Sequence, residues 1–169
     1  MNEFQPSDVG STLEFITATL AHFATDFFAF LVVAAAVAAF AFYFGRDRIV
    51  PLLAALYASI PLFLFFPYDT SAFGGIIVQF ALWGFIVLLA LVAFSGLASF
   101  VASESIGFIK LILLSAATAG LLIAIGIHIL PVEEVYTFSA PTKALFEGSQ
   151  AFFLWLAAPL AGIFFFGRG

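Results

Sequence analysis

Five apolar stretches, each separated from the next by polar or charged residues, make up most of the chain: residues 27–44, 49–66, 73–101, 106–130 and 150–166. Each is close to the roughly 20 residues that a helix needs to cross a hydrocarbon core. None shows the apolar–polar alternation of a barrel strand, and inside a bilayer only helices and closed barrels satisfy their own backbone groups. The pattern predicts an all-α integral membrane protein: a polytopic bundle of five transmembrane helices plus an N-terminal amphipathic helix, in one membrane domain.

Upstream of the first stretch, Leu13, Ile16, Leu20, Phe23 and Phe27 recur at steps of three and four residues, with Glu14, Thr25 and Asp26 largely off that stripe. Ser11 and Glu14 have capping-box spacing, which sets a helix start near residue 12. This helix either lies in the interface or continues into the first span as one helix of roughly 50 Å. Residues 131–149 are the other sizeable polar segment, where Ser139, Pro141 and Gly148 mark the start and stop of a short helix over 141–147. Pro51 suits a first helical turn, whereas Pro61 and Pro159 fall inside spans and are expected to kink or shorten them.

Composition supports the membrane assignment. Of the 169 residues, 64% are hydrophobic and 9% charged, where a soluble domain carries about 25% charged residues. A soluble fold of this size leaves roughly 30% of its chain surface in water and has no means of hiding so much apolar surface. The absence of cysteine excludes disulfides, thiolate nucleophiles and cysteine-ligated metals. Five Lys and Arg against a net charge of −5 exclude a nucleic-acid surface. The first residues carry acidic rather than basic charge, so they are expected to stay in the mature chain rather than act as a cleaved signal.

Charge also orients the bundle. Arg46 and Arg48 follow the first stretch, Lys110 opens the fourth and Arg168 follows the fifth. With five crossings all four fall on one side, and short loops rich in Lys and Arg stay in the cytoplasm. These residues are the expected topology anchors of a multi-pass protein in a prokaryotic inner or plasma membrane, N-terminus outside and C-terminus inside. Only Lys143 falls on the other face, which is otherwise acidic.

Candidate chemistry is sparse. Small residues at four-residue spacing, Ala34 and Ala38 in the first span and Ala116, Gly120 and Ala124 in the fourth, mark helix-packing faces, because association in lipid depends on close approach. The polar residues Gln79, Ser115 and Thr118 would line a pore if there were one, but no charge sits at mid-membrane, where transport pathways place theirs. His22, Asp26 and His128 are the candidates for a metal or haem site. Two histidines near an interface more commonly snorkel or hydrogen-bond, so no metal and no cofactor is expected. The 25 phenylalanines suit lipid and interfacial surfaces. No nucleophile elbow, phosphate loop, HExxH or convergent acidic pair is present, so the chain is not expected to be an enzyme. The expected partners are the lipid bilayer and a membrane protein or a second copy. The function expected is a non-catalytic scaffold or anchoring subunit of a larger membrane assembly. The alternative is a small ion or solute channel or transporter subunit.

Overall fold

The computed structural model describes residues 6–67, 75–97 and 107–166 and is helical, with no strand among them. Helix α1 spans Pro6–Phe44, α2 Ile49–Leu64, α3 Ile76–Phe94, α4 Phe108–Ile129, α5 Ala140–Phe146 and α6 Ser149–Phe166. Single 3₁₀ turns cover Arg46–Arg48, Ser95–Leu97 and Val132–Glu134. Four helical segments, Leu20–Phe44, Arg46–Leu64, Ile76–Phe94 and Phe108–Ile129, are long and apolar enough to cross a membrane. The α5–α6 pair, bent by 65° at its junction, makes a fifth if counted as one span. This is a small polytopic helical membrane protein.

Several boundaries differ from those the sequence predicts. Of the two arrangements open to the N-terminal helix, the continuous one is present: α1 runs unbroken through 39 residues into the first span, about 58 Å at 1.5 Å per residue. The described part of α1 begins at Pro6, so Ser11 and Glu14, expected to cap a helix start near residue 12, lie inside the helix. α2 stops at Leu64, three residues past Pro61. α6 runs through Pro159 to Phe166. Residues 68–74, 98–106 and 167–169, which include Arg168 and the ends of the third and fourth predicted spans, lie outside the described residues.

Gly45 adopts φ 110° ahead of the Arg46–Arg48 turn, a left-handed conformation that glycine enters without Cβ strain. The turn reverses the chain within a few residues, so α2 runs back beside α1. Arg48 donates to the Ser95 carbonyl at 3.3 Å, the Arg46 guanidinium sits 5.7 Å from the centre of the Phe42 ring, and Phe42 meets Phe108 at 5.9 Å. Arg46, Arg48 and Lys110 therefore share one end of the bundle, and the start of α1, the 131–139 segment and α5 share the other.

α4 is the central helix: α1, α2 and α6 pack on it, while α3 packs chiefly on α2. Its small residues allow this, with Ala119, Gly120, Ala124 and Gly126 buried together with Leu111, Leu114, Leu121 and Ile125. The core joins those α4 side chains to Val37 and Ala41 of α1 and to Ile49, Leu53 and Leu56 of α2. Ala34 and Ala38 are half-buried on the same stripe of α1 as Val37 and Ala41. Large side chains such as Ile77, Phe85, Leu88, Phe153 and Leu160 remain exposed on the outside, a position that costs nothing where the surroundings are lipid tails.

Candidate functional site

At the end opposite the Arg46–Arg48 turn, a group of hydrogen-bonding residues is built around Asp26. This carboxylate is 6% exposed on α1, and such a group persists in apolar surroundings only when hydrogen-bonded. Three donors distant in sequence supply the bonds. The Tyr136 hydroxyl donates to Oδ1 at 2.6 Å, and the Ser139 backbone N–H and the Thr142 hydroxyl donate to Oδ2 at 2.9 and 2.7 Å. Ser139 and Thr142 also share a hydroxyl contact at 3.0 Å. Ser139 precedes α5 without capping it through its own side chain; its N–H goes to α1 instead.

The result is a clamp that fastens the 131–139 segment and the start of α5 to α1. The hydrogen bond to Asp26 holds the Tyr136 phenol above its ordinary pKa, assisted by burial and by the carboxylate charge. Lys143 on α5 pairs with Glu133 at 2.6 Å, closing the same segment from its solvent side. Below the clamp lies a cavity of about 380 Å³ between α1, α4, the 131–139 segment, α5 and α6, with aromatic side chains making up half of its lining.

The floor of that cavity is a close contact between α4 and α6. Trp155 stacks on Phe146 with centroids 4.8 Å apart and planes 12° apart, and its Nε1–H donates to the Leu145 carbonyl at 3.1 Å. Its ring lies where a side chain on Gly120 would be: an added Cβ would come within 1.9 Å of Cζ3. Deeper in the bundle Tyr57 of α2 donates to the Leu156 carbonyl of α6. The accepting carbonyl lies next to that of Trp155, which Pro159 leaves without its usual helical donor.

The other sequence candidates are dispersed. His22 is exposed on α1, one turn before Asp26. His128 sits at the end of α4, its Nδ1 3.1 Å from the Ala124 carbonyl and its Nε2 3.1 Å from the Glu147 carbonyl, with the ring stacked on Phe152. Each nitrogen faces a backbone carbonyl, to one of which a neutral imidazole can donate, and among the described residues no three His, Asp or Glu side chains converge as metal ligands. Gln79 is half-buried on α3, whereas Ser115 and Thr118 are buried on α4. The Thr118 hydroxyl donates back to Leu114 at 2.7 Å, and Ser115 Oγ has no partner among the described residues. Sequence reasoning missed Tyr136, Ser139, Thr142 and Trp155 as site residues. Comparison with known family models, with characterised proteins and with solved structures returned no match.

Proposed function

We propose that the chain is a non-catalytic anchoring subunit of a larger membrane assembly, oriented with the start of α1 outside and the Arg46–Arg48 turn in the cytoplasm. One observation carries this reading: α1 is about twice as long as the roughly 30 Å hydrocarbon core requires. Its excess length projects past Asp26, with Thr17, Ala18 and residues 20–25 exposed, including Leu20 and Phe23. The Asp26 clamp braces this rod at its base, which holds it at a fixed angle for a partner to grip. Unpartnered apolar side chains on such a helix favour a membrane protein or a second copy of the chain as the occupant.

The test is affinity purification of the full-length chain in mild detergent. A stoichiometric partner or a defined oligomer should be recovered, and Leu20→Glu with Phe23→Glu should release it while the helical circular dichroism stays unchanged. Recovery of the wild-type chain as a lone monomer would sink the proposal. Proteoliposomes should show no ion or solute flux; a flux abolished by Gln79→Leu would replace it with the pore reading.

A further inference from the structure

The cavity beneath the clamp joins a carboxylate with no cationic partner among the described residues to an aromatic wall. Asp26 is one of its lining residues, and Phe27, Phe30, Phe138, Phe146 and Trp155 supply rings around it. The three groups that donate to Asp26 are all neutral, and the nearby Lys143 directs its ammonium to Glu133. A carboxylate offers about four lone-pair positions; Oδ2 accepts two hydrogen bonds and Oδ1 one, so one position on Oδ1 is not used by these donors. In surroundings of low dielectric the remaining charge is poorly screened.

We propose that this cavity binds a monocationic amphiphile, an apolar amine whose N–H⁺ donates to Asp26 Oδ1 and whose body lies among the rings. A volume of about 380 Å³ falls in the range of small-molecule pockets, roughly 300–1,000 Å³. Ring faces attract a cation through their quadrupoles. A neutral chain would fill the space but leave the carboxylate without a counter-charge, and an anion would be repelled by it. Phe23 and Phe27 are exposed at the cavity's edge, which gives an amphiphile already in the bilayer a lateral way in.

The experiment uses the full-length protein in nanodiscs of zwitterionic lipid, carrying Trp83→Phe so that Trp155 in the cavity wall is the only tryptophan. Decylamine is titrated against decanol, and Trp155 emission is followed. Decylamine should give a saturable change, with decanol at least about 10-fold weaker, the size expected for a charge-assisted hydrogen bond. Asp26→Asn should erase that preference, and Ala29→Phe, which fills the cavity from α1, should abolish binding of both. Equal affinities for amine and alcohol, no saturable change with decylamine, or a preference that survives Asp26→Asn would each overturn the proposal. If Asp26→Asn does not fold, the amine-to-alcohol comparison in the Trp83→Phe protein and the Ala29→Phe variant still decide it.

Discussion

Replacing Gly120 with Ala sets two physical effects against each other with opposite signs. Helix propensity alone favours the change, because Ala in a helix interior is better than Gly by about 0.5–1 kcal/mol. Packing opposes it. The new Cβ would meet Trp155 Cζ3 at 1.9 Å, Cε3 at 2.1 Å and Cη2 at 2.7 Å, whereas carbon atoms rest about 3.5 Å apart. The indole or α6 must therefore retreat by roughly 1.5 Å. Trp155 has little freedom to do so, held by its bond to the Leu145 carbonyl and its stack on Phe146. Overpacking of this kind costs about 1–3 kcal/mol, and losing the indole hydrogen bond adds about 1 kcal/mol. After subtracting the propensity gain, Gly120→Ala should destabilise the fold by about 1–3 kcal/mol. Unfolding by SDS titration in mixed micelles, followed by circular dichroism, measures the difference. Trp155→Leu opens the space, so the double variant should recover at least half of the loss caused by Gly120→Ala when compared with Trp155→Leu alone. A Gly120→Ala protein as stable as wild type, or more so, would refute the packing argument, as would additive effects of the two changes.

The clamp gives the next expectation: Asp26→Ala removes three hydrogen bonds at once and should cost about 2–4 kcal/mol, visible in the same titration and as faster exchange of the Ser139 amide. Tyr136→Phe and Thr142→Val each remove one bond and should cost about 1 kcal/mol; no loss in any of the three would contradict the clamp. The raised pKa of Tyr136 gives the pH dependence a sign. A phenol whose folded pKa lies above its unfolded value, about 10, adds stability that is complete below that value and is lost as pH rises through the folded one. Wild type should therefore lose more stability than Tyr136→Phe on going from pH 9 to beyond the folded pKa, and parallel curves would exclude the coupling. Substituting Arg46 and Arg48 together by Gln removes the positive charge of the first turn and should scramble orientation in a reporter fusion; an unchanged topology would assign orientation to other determinants.

The helices were legible in the sequence because their signal is long and local. An apolar run such as 106–130 needs no knowledge of its neighbours to be identified as a span, and α4 occupies Phe108–Ile129 within it. The small-residue spacing of Ala116, Gly120 and Ala124 likewise pointed to a packing face, and Gly120 lies against Trp155. The partner was not legible, since a tryptophan near a membrane boundary has the same local context whether it faces lipid or a glycine on another helix. Asp26 shows the limit most clearly. Its local neighbour at helical spacing, His22, suggested a ligand pair, yet its contacts are with Tyr136, Ser139 and Thr142, between 110 and 116 residues away. Each of those three is an ordinary loop, cap or first-turn helix residue by sequence, and only the antiparallel return of α4 beside α1 brings them to the carboxylate. The same return makes Asp26 tolerable so close to the bilayer: a carboxylate left alone on α1 would have to reach water, whereas three donors from the 131–142 segment replace that water. The segment in turn is ordered by the charge it covers. The polar residues at this end of the bundle are therefore one cooperative unit, and a change to any of them should be felt first as loosening of α5 from α1, before the core between α1, α2 and α4 is affected.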